Sequence, residues 1–141
     1  DITTAHTPFI PGKANVMKEG RDICLIACGL MIPRALEAAA ELEKEGSSVA
    51  VVNMHTIKPI DKDIVLKMNE SCKAIVTVEE HSVIGGLGSA VAEVLAGHNG
   101  AKFAMVGIED KFGKSGKPDQ LFEAYGLTAA NVAAKAKELL K

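Results

Sequence analysis

Apolar residues recur along this chain in short continuous runs, and each run is followed by a segment in which they recur every three or four positions. The runs are typical of strands buried on both faces, whereas the spaced segments are typical of amphipathic helices. Four buried strands are predicted at residues 23–28, 49–52, 74–78 and 103–108. A shorter alternating segment at residues 14–18 predicts an edge strand.

Five helices are predicted between and after these strands, at residues 31–45, 62–71, 85–96, 117–125 and 129–140. Capping residues support their limits, because Asp61 and Thr128 can cap helix starts and Gly46 and Gly126 can end helices. Strands that alternate with helices need crossover connections, which produce a mainly parallel sheet with helices on both faces. The pattern therefore predicts an α/β fold, a three-layer α/β/α sandwich of about five strands.

Residues 1–11 are rich in Thr and Pro and show no periodicity, which is typical of an extended linker. Such a linker indicates that another domain, missing from this sequence, precedes a single domain at residues 12–141. The net charge of −2 and the scattered basic residues argue against binding to nucleic acid. No apolar run approaches the roughly 18 residues of a membrane-spanning helix, so no membrane partner is expected.

The three cysteines do not form a pattern that carries chemistry. Cys24 and Cys28 lie four residues apart in a predicted strand, which places them roughly 13 Å apart, too far for a disulfide. Cys72 is isolated, and no spacing resembles a zinc site. We interpret all three as buried apolar residues in a reducing compartment, which favours a cytoplasmic protein.

Candidate chemistry is sought where α/β proteins place their ligands, at the carboxyl ends of the strands. Residues 28–30 follow one strand and carry no phosphate-binding glycine motif. Residues 53–61 follow another and contain His55 and Lys58. Those two residues can serve a site, or they can simply accompany a turn fixed by Pro59.

The third such segment is the most informative, since Glu79 and Glu80 precede His81 and glycines follow at positions 85, 86 and 88. Either acid can tune the imidazole for proton transfer, although His81 can equally be a solvated loop residue. The glycines can let a phosphate or another chain approach closely, or they can form a tight turn from strand to helix. No nucleophile elbow, catalytic carboxylate pair or metal cluster accompanies them, so we predict no catalytic, cofactor-binding or metal-binding residue.

Four segments, in order and with matching gaps, resemble the C-terminal domain of transketolases. They are GKANVMKEGRDICLIACG, HTIKPID, TVEEHSVIGGLGSAVAEVL and GIEDKFGKSGKPDQLFEAYGLTAANV. The likeness covers residues 12–141, and the end of the last segment resembles the two-subunit bacterial or archaeal type. The equivalent domains of deoxyxylulose-phosphate synthases and of 2-oxo acid dehydrogenase decarboxylase β chains stay open as alternatives, as does a free-standing binding or regulatory module.

The resemblance implies a mixed five-stranded sheet whose first strand is antiparallel, which suits the edge strand at residues 14–18. It also implies a non-catalytic domain that supports the dimer of a cytoplasmic enzyme of the pentose phosphate pathway. That enzyme transfers a two-carbon ketol unit between sugar phosphates. Its thiamine diphosphate and its Mg²⁺ or Ca²⁺ would bind to the missing diphosphate-binding and pyrimidine-binding domains, within a homodimer or heterotetramer.

In the enzymes that this chain resembles, the active site lies at a subunit interface. We therefore expect the glycine-rich segment to face a channel or an interface in the full enzyme. The candidate channel or interface residues are Glu80, His81, Gly85, Gly86 and Gly88.

Overall fold

The computed structural model describes residues 2–141, so Asp1, the first residue of the predicted linker, lies outside the described residues. Residues 2–14 contain no helix or strand. The regular elements that follow, in chain order, are β1 (Asn15–Lys18), β2 (Ile23–Ala27), α1 (Met31–Lys44), β3 (Val49–Asn53), α2 (Lys62–Ser71), β4 (Ala74–Ser82), α3 (Leu87–Leu95), β5 (Lys102–Ile108), α4 (Pro118–Tyr125) and α5 (Ala129–Leu140).

The five strands form one sheet in the order β1-β3-β2-β4-β5. The strands β2 to β5 are parallel, and Ile23 pairs with Val49 on one side and with Ala74 on the other. The edge strand β1 runs antiparallel to β3. The α/β sandwich and its antiparallel edge strand are therefore confirmed.

Side chains of successive strand residues enter two separate cores, because they point alternately to the two faces of the sheet. In β2, Ile23, Leu25 and Ala27 belong to the core beneath α1 and α5. Cys24 and Ile26 belong to the core beneath α2 and α3. This double burial explains why the strands appear in the sequence as continuous apolar runs.

Local capping signals fix most helix limits as expected. The Asp61 carboxylate accepts the backbone N–H of Ile64 at 3.4 Å, and the Thr128 hydroxyl accepts that of Asn131 at 3.2 Å. Gly126 closes α4 in the left-handed conformation, with φ of 68°. None of the helices in residues 2–141 is long and apolar enough to span a membrane.

Two predicted limits near the glycine-rich segment are wrong. β4 continues to Ser82 instead of ending at Val78, so Glu79, Glu80 and His81 lie within the strand rather than in a loop. α3 begins at Leu87, so the glycines at 85 and 86 precede the helix instead of forming its first turn. Strand pairing continues past the apolar run, which the pattern of hydrophobic residues alone does not reveal.

The predicted strand at residues 23–28 is also one residue too long, since β2 ends at Ala27. Cys28 follows it and is half-buried, whereas Cys24 and Cys72 are buried, and all three are free thiols. Burial raises the pKa of the Cys24 thiol well above its ordinary value. That thiol therefore stays protonated and packs as a small apolar group.

Candidate functional site

The carboxyl end of β4 contains a bulge. Val78 pairs with Val106 of β5 and Ser82 pairs with Ile108, so four steps along β4 match only two steps along β5. Gly107 makes room for the extra residues, since a Cβ atom there would lie 2.9 Å from the carbonyl oxygen of residue 81. Bulges redirect side chains, and this one separates a buried residue from two exposed ones.

The buried residue is Glu79, whose exposed fraction is 1 %. Its two carboxylate oxygens accept the backbone N–H groups of Leu87 at 2.7 Å and Gly88 at 2.8 Å. A carboxylate is favourable at this position because the first N–H groups of a helix are unpaired and carry partial positive charge. Glu79 therefore occupies the place at the start of α3 that a phosphate would take.

The glycines around this carboxylate have local structural reasons. A Cβ atom on Gly86 would lie 2.0 Å from an oxygen of Glu79, and one on Gly88 would lie 2.7 Å from the sulfur of Met105. Gly85 has a φ of 80°, which few other residues adopt. Of the roles considered for these glycines, the structure shows the tight turn from strand to helix.

His81 points outward, with 62 % of its side chain exposed. Its Nδ1 lies 2.8 Å from the carbonyl oxygen of Ser82. A carbonyl only accepts hydrogen bonds, so Nδ1 carries the proton and donates it, which leaves Nε2 available to an outside group. Nδ1 also lies 3.9 Å from Glu79, so the acid beside the imidazole is Glu79 and not Glu80.

Glu80 is among the candidate residues predicted from the sequence and Glu79 is not, although Glu79 is the residue that organises the turn. The sequence did contain a pattern that identifies Glu79. Ile75, Thr77 and Glu79 alternate along β4, and such alternation puts them on the same face of the sheet, where α3 packs. Thr77, like Glu79, is buried on this face, with its Oγ1 unpaired.

The segments after β2 and β4 meet in a cavity of about 500 Å³. It is lined by Cys28, Gly29, Leu30, Ile57, Glu79, Glu80, His81, Gly85 and Gly86. Burial raises the pKa of the Cys28 thiol, and the charge of Glu79 raises it further. Cys28 is therefore a neutral thiol at pH 7 and a weak nucleophile.

Of the two residues considered after β3, the structure brings neither into this cavity. His55 stacks against the ring of Phe9 with centroids 4.4 Å apart, and its Nδ1 lies 3.0 Å from the Thr56 hydroxyl. Lys58 lines a second cavity, of about 680 Å³, which includes side chains of both α2 and α3. His55 thus holds the segment before β1 against the sheet.

Exposed apolar side chains concentrate at this end of the molecule. Eight large ones are exposed in residues 2–141, and six of them follow the carboxyl end of a parallel strand or lie in the segment that covers His55. These six, which we call the carboxyl-edge patch, are Phe9, Ile10, Leu30, Ile57, Ile84 and Phe112. Several exposed apolar side chains at one edge of the sheet favour that edge as an interaction surface.

Thiamine diphosphate with its divalent metal does not fit the described residues. Residues 2–141 hold no group of three or more His, Cys, Asp or Glu side chains able to bind a metal ion. The start of α3, which the glycine motif suggested for a phosphate, is filled by the Glu79 carboxylate.

Comparison with known proteins gives consistent results. The family described as "Transketolase, C-terminal domain" matches residues 12–132. A transketolase C-terminal section from Methanocaldococcus jannaschii is 44 % identical over 94 % of this chain and 42 % of its own length. A 1-deoxy-D-xylulose-5-phosphate synthase from Heliobacterium modesticaldum is 43 % identical over 91 % of this chain and 20 % of its own length.

Among solved structures, a split-gene transketolase described as an inactive β4 tetramer superposes with a TM-score of 0.94. It is 46 % identical, and the match covers 99 % of this chain and 46 % of that one. This chain therefore spans less than half the length of each of these relatives.

Proposed function

The chain belongs to the transketolase C-terminal domain family, and from that premise we propose that it is the C-terminal part of one subunit of a split transketolase. The full enzyme would transfer a two-carbon ketol unit between sugar phosphates in the cytoplasm, within the pentose phosphate pathway. Its thiamine diphosphate and divalent metal would bind to the diphosphate-binding and pyrimidine-binding domains. The M. jannaschii section and the split-gene β4 tetramer support this division of the enzyme into separate chains.

We propose that the domain's own task is to support assembly through the carboxyl-edge patch, and the patch is the observation that carries the proposal. Exposed apolar side chains lower the free energy when a partner covers them, by about 25 cal/mol per Å² of apolar area. Glu80 and His81 lie beside this patch, whereas Gly85 and Gly86 shape the turn after Ile84 and Gly88 lies in the first turn of α3, against Met105.

His81 is the residue of this edge that can report on the active site. Because the proton of the neutral ring is on Nδ1, its Nε2 can accept a hydrogen bond across the interface. We propose that it contacts the mouth of the substrate channel and takes no direct part in bond making. The remaining candidate, Glu80, would contribute a rim charge beside it.

The decisive experiment is kinetic and uses the full-length enzyme with all subunits. His81→Ala should lower kcat/KM about tenfold, which corresponds to about 1.4 kcal/mol of transition-state stabilisation. A loss of a hundredfold or more would indicate direct proton transfer. His98→Ala, a substitution of another exposed histidine, is the matched control. Unchanged kinetics for His81→Ala would remove His81 from the site.

Two further measurements test the wider proposal. The isolated chain should not bind thiamine diphosphate with Mg²⁺ in a calorimetric titration. Micromolar binding would contradict the proposal that the cofactor binds to other domains.

A deoxyxylulose-phosphate synthase is the second candidate, because a relative of that name is 43 % identical. Assays of both reactions with the full-length enzyme separate the two.

A further inference from the structure

The α4 helix is attached to the domain more lightly than the other helices. It contains no buried residue, whereas each of the other four helices buries at least three. The loop that leads into it from β5 is exposed at every position from 109 to 117. Cavities of about 230 and 470 Å³ lie against α4, the first toward β5 and the second toward α1. A helix with so little buried surface can open locally at low cost.

Hydrogen bonds join this loop and helix to each other. The Tyr125 hydroxyl of α4 donates to the carbonyl oxygen of Phe112 at 3.1 Å and accepts the N–H of Lys114 at 2.6 Å. The Gln120 side chain accepts the N–H of Lys117 at 3.3 Å. Because these bonds begin and end within residues 111–125, they make the segment one body without attaching it to the rest of the chain.

The contacts that do attach the segment are weak. Arg34 of α1 reaches it from outside, with its guanidinium 3.7 Å from the Asp119 carboxylate and 5.9 Å from the centre of the Phe122 ring. Exposed ion pairs and cation–π contacts of this kind contribute little to stability. Phe122 and Tyr125 also pack against the core beneath α1 and α5, but both are only partly buried.

The two ends of the segment have backbone conformations suited to hinges. Asp110, just before it, has a φ of 39° and is the one residue other than Gly with a positive φ in residues 2–141. Such a conformation stores strain that a change in backbone angles can release. Gly126, just after the segment, has a φ of 68°. Glycine changes its backbone angles at low cost, so both ends allow movement.

From these observations we infer that residues 111–125 form a lid that opens and closes as one unit, with hinges at Asp110 and Gly126. In the closed lid, Phe122 and Tyr125 cover part of the core beneath α1 and α5. Opening uncovers that part of the core and the end of β5. The last residue of β5, Ile108, pairs with Ser82, so opening also changes the surface near His81.

Native-state hydrogen exchange of this chain, followed for each amide by NMR, tests the lid. After correction for intrinsic rates, the amides of Glu123 and Ala124 in α4 should exchange at least tenfold faster than the buried amides of α5. Low concentrations of urea should hardly change their rates, because local opening exposes little surface. The amide of Lys114, bonded to Tyr125, should share the opening constant of α4 because the segment moves as one unit.

Two variants separate lid opening from unfolding of the whole domain. Arg34→Ala removes a contact that breaks when the lid opens, so exchange in α4 should accelerate about two- to fivefold. Ile26→Val is the matched control, since Ile26 lies in the core beneath α2 and α3, on the other face of the sheet. It should accelerate exchange in α5 about two- to tenfold through global unfolding and leave α4 unchanged.

A third variant tests the link between loop and helix. Tyr125→Phe keeps the ring and removes the hydroxyl, so the Lys114 amide should lose its protection while α4 stays protected.

Three results would overturn the lid. If Ile26→Val accelerates α4 and α5 alike, α4 opens only when the whole domain unfolds. If the α4 amides show no protection in the parent chain, no closed lid exists. If the opening constants of Lys114 and α4 differ more than threefold in the parent chain, the loop and the helix are not one unit.

Discussion

The two ends of the same sheet are built differently. At the amino end, the Asp22 carboxylate accepts the N–H of Ser48 at 2.8 Å and an ammonium proton of Lys73 at 2.9 Å. The backbone of Asp22 also bonds to Ser48 and Lys73, so one residue ties together the segments before β2, β3 and β4. At the carboxyl end, backbone N–H groups donate hydrogen bonds to the buried Glu79 carboxylate, and apolar side chains are exposed to solvent.

The difference indicates which end is complete within this chain. The amino end satisfies its polar groups internally. At the carboxyl end, the hydrogen bonds of the Glu79 carboxylate shape the turn before α3. The described residues leave the carboxyl-edge patch uncovered. Stability and assembly should therefore depend on different residues, and the following substitutions test that separation.

The largest effect is expected at Glu79. Replacing it by Ala leaves the N–H groups of Leu87 and Gly88 buried without a partner, so unfolding free energy should fall by about 3 kcal/mol. Chemical denaturation of the chain measures this. Glu80→Ala, one residue along and exposed, should change it by less than about 0.5 kcal/mol. Equal losses for the two glutamates would contradict the assignment of Glu79 as the cap of α3.

Gly86→Ala should have the next largest effect. The added methyl group would collide with the Glu79 carboxylate and should cost about 2 kcal/mol. In a Glu79→Ala background only a 2.9 Å contact with the exposed His81 ring remains, and the cost should fall below about 1 kcal/mol. Gly85→Ala is the control, since its cost of about 1 kcal/mol comes from backbone conformation and should be independent of residue 79. Additive losses for Gly86 and Glu79 would refute the contact.

A smaller, pH-dependent effect is expected at the amino end. Hydrogen bonds from Ser48 and Lys73 lower the pKa of Asp22. A carboxyl whose pKa is lower when folded contributes stability above its unfolded pKa and loses that contribution as the pH falls through its folded pKa. Asp22→Asn should therefore be slightly less stable than the parent at pH 7. The two melting temperatures should converge below about pH 4, and a gap that persists in acid would contradict the ionic origin.

The smallest effect on stability is expected within the carboxyl-edge patch. Leu30→Ser combined with Ile84→Ser should change unfolding free energy by less than about 0.5 kcal/mol per site, since both side chains are two-thirds exposed. Self-association of the isolated chain, measured by sedimentation, should decrease because apolar exposure decreases. A large loss of stability would show that the patch belongs to the folded core instead of an interface.

The fold was predictable because apolar runs and capping residues mark parallel strands and helices directly. Val49 to Val52 and Ile23 to Ala27 are buried on both faces, and such strands stand out in any sequence. The alternation of Ile75, Thr77 and Glu79 indicates the face that Glu79 shares, but the exposure of both Glu80 and His81 was not predictable, because a bulge changes the side-chain direction over one or two residues. The pairing of Ser82 with Ile108 that creates the bulge is a tertiary contact between strands far apart in sequence.

The exposed residues at this edge of the sheet could not be recognised from the sequence either. Phe112 looks like an ordinary apolar residue in the sequence, and only the tether from Tyr125 shows that it is held outward. Gly107 likewise looks like a strand glycine until the backbone of residue 81 is found against it. The candidate residues Glu80, His81, Gly85, Gly86 and Gly88 remain a prediction for the channel or interface.

The direction of β1 has a consequence for how the carboxyl-edge patch would be covered. Because β1 is antiparallel, Asn15 pairs with Asn53 and the backbone enters the sheet at the carboxyl edge, beside the patch. Any domain joined to this segment is held near the patch at an effective concentration in the millimolar range. Contacts too weak to persist between free molecules would then be occupied most of the time. Because this four-residue strand is antiparallel, a domain joined to it would cover the patch through its tether and would not need to bind tightly.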